Sequence, residues 1–354
     1  MPLHRLRITA FRCIEAAELA LDPSRNYIYG ANGAGKSSVL EAIFLLGRGR
    51  SFRTRRTRAL VRHGQEALTV YGEVDDSVRT RRLGATFGGG HLDRRLDGER
   101  AKGSAVAEIL PVHAIGPDSH DLIEGGPIGR RRLIDWGVFH VERAYLEAWQ
   151  RYRRLLGQRN TALKTGGTGA RQLGVWTTAL TEAGEEIDRF RSDYVDRLAA
   201  SVAEHARALL GVDVTVDYHR GWPAGITLAD ALAASEARDR LSGHTEVGPH
   251  RADVTLQVDG HEVRNVASRG QQKLVAAALI LAQETVLAVA RGTRGVLLVD
   301  DPAAELDGGA VDRLLDRLAG VQSQVVFTGL TPRGLPARLS SALFHVEHGR
   351  VVAL

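Results

Sequence analysis

Alternating apolar and polar positions predict a strand-rich start to the chain. Residues 5–10 and 18–22 alternate with a period of two, which is typical of half-buried strands. Residues 26–29 predict a third strand that runs into a glycine-rich turn, and apolar residues then recur at helical spacing over 39–46. Further strands are predicted over 68–74, 77–87 and 111–115, with a hairpin turn at Asp97 and Gly98.

The pattern becomes helical from about residue 120 and mixed again near residue 246. Helical periodicity covers 128–164 and 171–211, with a flexible break at 166–169. A strand at 212–220 and a helical stretch to about 240 follow. The last part predicts hairpins at Asp259-Gly260 and His348-Gly349, helices over 269–290 and 310–319, and strands over 296–299 and 324–327. The predicted fold class is therefore α/β, with one discontinuous domain (1–120 and 246–354) interrupted by a mainly helical insertion lobe (121–245).

The strongest chemical motif is the glycine-rich loop between the third strand and its helix. Residues 30–37 match G-x-x-x-x-G-K-S, which in a strand-to-helix setting predicts a loop whose N–H groups surround a phosphate at a helix N-terminus. We expect Lys36 to contact the β- and γ-phosphates as a catalytic residue and Ser37 to bind Mg²⁺. The alternative, a glycine turn that caps a helix, needs neither side chain. The predicted nucleotide-binding residues are Gly30, Ala31, Asn32, Gly33, Ala34, Gly35, Lys36, Ser37 and Ser38.

A second motif is the apolar strand 296–299, which ends in two aspartates. A buried strand holds a carboxylate rigidly, so Asp300 is the expected Mg²⁺ partner, through water. Asp301 is placed to orient or activate the attacking water. Such a strand end is common by itself, and it predicts a nucleotide site here because the phosphate loop is also present.

A third motif, Ser268-Arg269-Gly270-Gln271, opens the helix predicted over 269–290. A Ser- and Gly-rich helix start is a second anion-binding N-terminus. One γ-phosphate can use both helix starts only if the second comes from another subunit, which predicts a homodimer with ATP between its subunits. Glu305-Leu306-Asp307 is suited to a loop that crosses the same interface. The alternative is an ordinary N-cap at Ser268.

Charge is only mildly informative until its distribution is considered. Lys and Arg number 47 against 42 Asp and Glu, a net charge of +5, which is compatible with nucleic acid without requiring it. Arginines are concentrated directly after the phosphate-loop helix, and we predict that they contact phosphates of DNA or nucleotide; the alternative is a solvated basic loop. They are Arg48, Arg50, Arg53, Arg55, Arg56 and Arg58.

Cysteine content and hydropathy narrow the class of protein. Cys13 is the single cysteine, which excludes an internal disulfide framework and a multi-cysteine metal site. The N-terminus lacks the apolar segment of a signal peptide, and no apolar run reaches the roughly 18 residues of a membrane span. We therefore expect a cytoplasmic protein without a membrane partner.

The order of the three motifs is similar to that of the ABC-type ATPases related to the SMC chromosome proteins. Further segments make the chain resemble, over nearly its whole length, the RecF family of bacterial DNA replication and recombinational repair proteins. These segments are Phe11-Arg12, 30–43, 48–52, 125–139, Gln158-Arg159-Asn160 and 248–253. The middle segments make the resemblance specific, because the ATPase motifs are shared across the superfamily.

The resemblance implies an ABC/SMC-head-like ATPase fold and a weak, DNA-stimulated ATPase that uses ATP and Mg²⁺. ATP would close it into a dimer on double-stranded DNA near single-strand gaps, and hydrolysis would release it. The family acts with RecR and RecO to place RecA on gapped DNA coated by single-strand-binding protein. Carried over to this chain, Ser268, Gly270 and Gln271 would contact the γ-phosphate bound by the partner, and Asp307 would lie in the interface.

Three positions depart from the wider superfamily. The water-activating acid is Asp301 where many relatives have Glu, which fits slow turnover. Many relatives place a switch histidine where this chain has Phe327-Thr328, so the resemblance does not extend to a phosphate sensor at Thr328. Gly116-Pro117-Asp118 stands where a Q-loop glutamine is expected.

Two other classes of protein share part of this pattern. A transporter's nucleotide-binding subunit would have the same phosphate loop and helix-start motif, but it usually carries a switch histidine and a surface that couples to a membrane partner. The second class is a DNA-binding scaffold with an inactive ATP site. The intact residues Lys36, Ser37, Asp300 and Asp301 argue against it.

Overall fold

The computed structural model describes residues 2–76, 78–165, 170–292, 294–304, 306–332, 339 and 342–354. The predicted break at 166–169 and Glu305 of the predicted interface loop lie outside these residues. Contacts divide the chain into two units. The first comprises Met1–His120, His205–Gly211 and Ser268–Leu354, and the second Asp121–Glu204 and Val212–Ala267.

The described strands and helices follow the predicted order. The strands are β1 Leu3–Phe11, β2 Ile14–Ala20, β3 Arg25–Tyr29, β4 Leu68–Asp75, β5 Thr80–Gly88, β6 His91–Leu96, β7 Glu99–Arg100, β8 Val112–Ile115, β9 Thr215–His219, β10 Asp253–Val258, β11 His261–Glu262, β12 Val296–Val299, β13 Gln324–Gly329, β14 Ala342–Glu347 and β15 Arg350–Ala353. The helices are α1 Lys36–Arg48, α2 Gly103–Ile109, α3 Asp121–Glu124, α4 Pro127–Val141, α5 Tyr145–Lys164, α6 Ala170–Leu210, α7 Leu228–Ser242, α8 Val263–Val266, α9 Arg269–Arg291 and α10 Gly308–Gly320.

Two six-stranded sheets build the first unit. One is antiparallel, in the order β2-β1-β4-β5-β6-β7, and the other has the order β15-β14-β3-β13-β12-β8. In the second sheet all neighbours from β14 to β8 are parallel, and Val299 pairs with both Ile115 and Phe327. The carboxyl ends of these strands therefore meet at one edge. Because β3 leads into the phosphate loop and β12 into the acidic pair, this edge brings the two motifs together.

Helix α1 connects the two sheets through the core. It contacts strands of both sheets, and its apolar side chains are buried on every side, including Leu40, Ala42, Ile43 and Leu45 at 0% exposure. A helix that is apolar all round is a core helix. Burial of each large side chain contributes about 1.5–3 kcal/mol, so the start of α1 is held firmly in the unit.

Helix α9 is also a core helix of the first unit. Among the described residues it is the one helix long and apolar enough to cross a membrane, and 78% of its most apolar window is buried inside the protein. Its burial accounts for the apolar sequence of this segment without a lipid environment.

The second unit combines helices with the small antiparallel sheet β11-β10-β9. Its last segment ends at Ala267, whereas the predicted lobe ends at 245. The difference arises because β10 pairs with β9, from Asp253 opposite His219 to Gln257 opposite Thr215, and this pairing keeps the segment after residue 245 in the unit.

A buried ion pair stabilises the second unit. Arg159 and Asp239 are both 0% exposed, and Nη1 of Arg159 donates to Oδ2 of Asp239 at 2.7 Å and to the Thr245 hydroxyl at 2.7 Å. Removing one partner would leave a buried charge uncompensated, which typically costs about 3–5 kcal/mol. Arg130 has a similar structural role, because its guanidinium donates to both carboxylate oxygens of Asp253 at 2.9 Å.

Two features differ from the sequence-based prediction. The helical run predicted over 128–164 divides into α4 and α5, and helix α2 lies in a segment predicted to contain only strands and turns. The division allows the Tyr145 hydroxyl at the start of α5 to donate to Oδ1 of Asp135 on α4 at 2.5 Å, where Nε of Arg191 also donates at 2.9 Å. This tertiary network favours a helix end where the local sequence contains no proline or glycine.

Candidate functional site

The phosphate loop is closely covered by the β14–β15 hairpin. A Cβ at Gly30 would stand 2.1 Å from the Val346 carbonyl oxygen, and one at Gly35 would stand 2.9 Å from Sγ of Cys13, with φ of Gly35 at +120°. The backbone N–H of Gly349 donates to the Ala34 carbonyl at 2.8 Å. Glycine is therefore required at position 30 by the close approach of the Val346 carbonyl, and at position 35 by a backbone conformation that other residues rarely adopt.

Lys36 is held inside this loop. Its side chain is 6% exposed, and Nζ donates to the carbonyl oxygens of Gly30 at 2.8 Å and Ala31 at 3.1 Å. A buried ammonium beside the first N–H groups of α1 makes a strongly positive centre, which favours phosphate oxygens as partners.

Ser37 and Asp300 meet at the sheet edge, as the parallel register requires. The Ser37 hydroxyl donates to Oδ1 of Asp300 at 2.8 Å, and Asp300 is 5% exposed. A hydroxyl and a carboxylate side by side are oxygen ligands of the kind that Mg²⁺ prefers, directly or through water. The residues present therefore fit a magnesium ion held by Ser37 and Asp300.

Asp301 follows in an unusual conformation. Its φ is +44°, in the left-handed region, which costs a non-glycine residue about 1–2 kcal/mol. Its backbone N–H donates to the Thr328 hydroxyl at 2.8 Å, and among the described residues its carboxylate accepts no hydrogen bond. Burial raises the pKa of Asp301; the charge of Lys36 opposes this shift and that of Asp300 adds to it. This carboxylate is thus suited to accept a proton from water.

The raised pKa of Asp301 predicts the acid limb of turnover. Asp301 must be ionised to act as a base, so the rate should fall about tenfold per pH unit below its pKa, and burial places that fall above the ordinary value of 3.8. A single-turnover pH–rate profile at saturating nucleotide measures the midpoint, with circular dichroism to verify that the fold persists. A turnover rate that does not fall on the acid side while the fold persists would contradict the assignment of Asp301 as the base.

Thr328 joins the two aspartates and was not predicted as a site residue. It is 1% exposed, and its Oγ1 donates to Oδ1 of Asp300 at 3.0 Å while it accepts the Asp301 N–H. The segment Gly116-Pro117-Asp118 also lies here: the Asp300 N–H donates to the Ile115 carbonyl at 2.8 Å, and a Cβ at Gly116 would stand 3.9 Å from that of Asp300.

The arginine-rich loop begins beside the same edge. The ring of Phe52 is 3.5 Å from the Cβ position of Gly116. Glu41 of α1 fixes this loop, because its carboxylate accepts a hydrogen bond from the Ser51 hydroxyl. The Glu41 side chain is 0% exposed and also accepts a hydrogen bond from Nη2 of Arg12 at 2.9 Å. This contact was not predicted, although a glutamate within an otherwise apolar helix is the sequence signal that could have indicated it.

The arginines of this loop differ in their surroundings. Arg48 is half-buried and stacks over the Phe44 ring at 5.7 Å. Four others have exposed side chains, and no carboxylate of the described residues lies within 4.0 Å of them. They are Arg53, Arg55, Arg56 and Arg58.

The helix-start motif Ser268–Gln271 forms a separate set of contacts at the start of α9. Ser268 is the N-cap of α9: its hydroxyl accepts the Gln271 N–H at 3.4 Å, and the Gln271 side chain accepts the Ser268 N–H at 2.9 Å. Both residues are exposed, and nothing lies within 4 Å of a Cβ placed at Gly270. Asp307, also exposed, caps α10 by accepting the Ala310 N–H at 2.8 Å. The capping interpretation of Ser268 thus holds within one subunit, and no described hydrogen bond of Ser268 or Gln271 reaches the phosphate loop.

Comparisons with known proteins identify the family of this chain. The family described as RecF/RecN/SMC N terminal domain matches residues 2–348. The chain is 40% identical to the DNA replication and repair protein RecF of Stutzerimonas stutzeri (strain A1501), across 100% of this chain and 98% of that protein. It is 41% identical to the protein of the same name in Pseudomonas putida (strain GB-1), across 99% and 98%.

Solved structures show the same relationship. The recombination mediator protein RecF-ATP in the RecFOR pathway superposes with a TM-score of 0.87 at 26% identity, across 100% of this chain and 97% of that one. An Smc head bound to the C-winged helix domain of ScpA gives a TM-score of 0.63 at 17% identity, which is a likeness of fold alone. The related proteins are named for DNA replication and repair and not for transport, so the transporter interpretation is set aside. The chain belongs to the RecF family of DNA replication and repair proteins.

Proposed function

We propose that this protein is an ATP-gated DNA clamp of recombinational repair. ATP drives two copies together on double-stranded DNA near a single-strand gap, and slow, DNA-stimulated hydrolysis releases them. The convergence of Lys36, Ser37, Asp300 and Asp301 at one sheet edge supports this proposal, because that edge contains a phosphate cradle, a metal-binding pair and a base. The cytoplasmic partners we propose are RecO and RecR, with RecA and single-strand-binding protein acting indirectly.

The side chains divide the chemistry between them. Lys36 and the N–H groups at the start of α1 bind and orient the triphosphate. Ser37 and Asp300 would hold Mg²⁺, which would supply neutralising charge to the phosphates. Asp301 takes a proton from the attacking water as the water oxygen bonds to the γ-phosphorus and the bond to the bridging oxygen breaks. The short aspartate side chain fits slow turnover.

The helix-start motif supports the proposed homodimer. Ser268 and Gln271 expose a capped helix N-terminus, and the space over Gly270 is open. A second phosphate-binding helix start that is not hydrogen-bonded to its own phosphate loop suits the nucleotide of another copy. The exposed Asp307 at the start of α10 would lie in the same interface.

ATP turnover with and without gapped duplex DNA tests this function. We expect slow basal turnover that rises several-fold with DNA, together with DNA-dependent dimers in a non-hydrolysed ATP analogue. Binding of DNA with no turnover under any condition would instead identify a scaffold with an inactive ATP site. Turnover that DNA leaves unchanged would separate the ATPase from the proposed clamp.

The exposed arginines after α1 should contribute to DNA affinity through the phosphate backbone. Replacing Arg53, Arg55 and Arg56 with glutamine should weaken binding equally on all sequences. It should also reduce the log–log salt slope by about 0.9 for each lost contact, or roughly 2.7 if all three engage. Fluorescence anisotropy on one duplex over a salt series measures both quantities.

The matched control removes three exposed arginines that are already paired. Arg79 lies at 3.4 Å from Asp97, and Arg95 and Arg100 lie at 3.3 and 3.0 Å from Asp93, so their charges are partly neutralised. Their replacement with glutamine changes the net charge by the same amount. If the two triple variants change DNA affinity equally, or if the variant of Arg53, Arg55 and Arg56 has no effect, the arginine-rich loop is a solvated basic loop that does not contact DNA.

A further inference from the structure

The Thr328 hydroxyl is hydrogen-bonded to both Asp300 and Asp301. Thr328 lies one residue beyond the Val299–Phe327 pair of β12 and β13, and it is 1% exposed. Its Oγ1 lies 3.0 Å from Oδ1 of Asp300 and 2.8 Å from the backbone nitrogen of Asp301. One side chain thereby contacts the carboxylate of one aspartate and the backbone of the next.

The hydroxyl chemistry limits what Thr328 can do. A hydroxyl has one proton to donate, and here Oδ1 of Asp300 accepts it, while the Asp301 N–H uses the hydroxyl oxygen as an acceptor. Both functions of the hydroxyl are directed at the aspartates. Thr328 therefore acts on the acidic pair and does not serve as a donor to a terminal phosphate in this arrangement.

Each contact controls a property that hydrolysis needs. Oδ1 of Asp300 accepts from Ser37 and Thr328 together, which fixes the rotamer of the carboxylate at the metal-binding position. Asp301 has φ of +44°, a conformation that persists only when its surroundings hold it, and its N–H bond to Thr328 is a direct restraint. The carboxylate of Asp301 stays free to meet water.

We propose that Thr328 is a positioning residue that sets the spacing between the metal-binding Asp300 and the water-activating Asp301. This inference rests on the proposed ATP hydrolysis. Thr328 exerts its effect on the rate of the chemical step and not on nucleotide affinity, because Lys36 and the loop glycines hold the phosphates independently of it.

Substitutions that separate the hydroxyl from the side-chain volume test this role. Thr328→Val keeps the volume and removes both hydrogen bonds, and it should lower the single-turnover rate without DNA by 10- to 100-fold, because a misplacement near 1 Å can reduce a rate on the order of 100-fold. Affinity for a fluorescent ATP analogue should stay within about threefold. Thr328→Ser should restore most of the rate, and Thr328→Ala repeats the test if the valine variant does not fold.

A double-mutant comparison with Asp301 distinguishes a positioning role of Thr328 from a purely structural one. In the Asp301→Asn background, Thr328→Val should reduce the rate less than it does in the wild type, because the part of its effect that acts through the base is already lost. A valine variant at the wild-type rate, a serine variant as slow as valine, or equal losses of rate and affinity would each overturn the inference. A wild-type protein that does not hydrolyse ATP would instead overturn the proposed function.

Discussion

Replacing Asp301 with asparagine should nearly abolish ATP turnover while leaving ATP binding intact. The amide keeps the shape of the side chain and cannot accept the water proton, so the loss should be on the order of 10²- to 10⁴-fold. Because release depends on hydrolysis, the dimer on DNA should become long-lived. Single-turnover assays measure the rate, and the dissociation of labelled duplex after dilution measures the lifetime.

The matched control is Asp312→Asn, the same chemical change at an exposed position of α10. It should leave both the rate and the lifetime at their wild-type values. Asp301→Asn turnover within about threefold of wild type would exclude Asp301 as the base and direct attention to another acceptor for the proton.

Replacing Lys36 with methionine should remove most of the affinity for ATP. The side chain is buried and donates to the Gly30 carbonyl of the loop, and a hydrogen bond to a charged group contributes about 1.5–3 kcal/mol, or roughly 10- to 150-fold in affinity. DNA-dependent dimers should then be lost at nucleotide concentrations that saturate the wild type. Titration with a fluorescent ATP analogue measures the change.

Lys102→Met provides the comparison, because Lys102 is an exposed lysine of the same unit that precedes α2. It should bind nucleotide as the wild type does. A thermal melt distinguishes loss of binding from loss of fold: Lys36→Met removes a buried charge, so its melting temperature should not fall. Unchanged ATP affinity in Lys36→Met would mean that the loop does not hold the phosphates.

Local spacing was sufficient to predict the strand, loop and helix that form the candidate phosphate loop. The phosphate loop is a contiguous motif between a strand and a helix, and residues 30–38 and the start of α1 follow from it. The contact between Ser37 and Asp300 could be predicted once the sheet was assumed to be parallel. Both residues follow strands of that sheet, and the carboxyl ends of parallel strands share an edge. The strand at 296–299 and the helix at 269–290 were also predictable, because their buried positions are apolar in the sequence.

Features that depend on distant partners were not predictable. Thr328 stands where many relatives place a switch histidine, but its contacts with the two aspartates arise only because β13 pairs beside β12. The end of α4 near Glu142 is set by the Tyr145–Asp135 contact and not by a helix-breaking residue. Capping by Ser268 follows from the local sequence, whereas a role toward another subunit depends on a molecule that one chain does not contain.

ATP-gated clamping requires one nucleotide to be held between two copies of this protein. Sedimentation of the 38.4 kDa chain with a saturating, non-hydrolysed ATP analogue on duplex DNA tests this arrangement. We expect two protein chains per bound complex, reduced to one by Ser268→Arg, which obstructs the exposed start of α9 without touching the phosphate loop. A complex that contains a single chain at saturating nucleotide, on a duplex long enough for two, would show that no nucleotide bridges two copies.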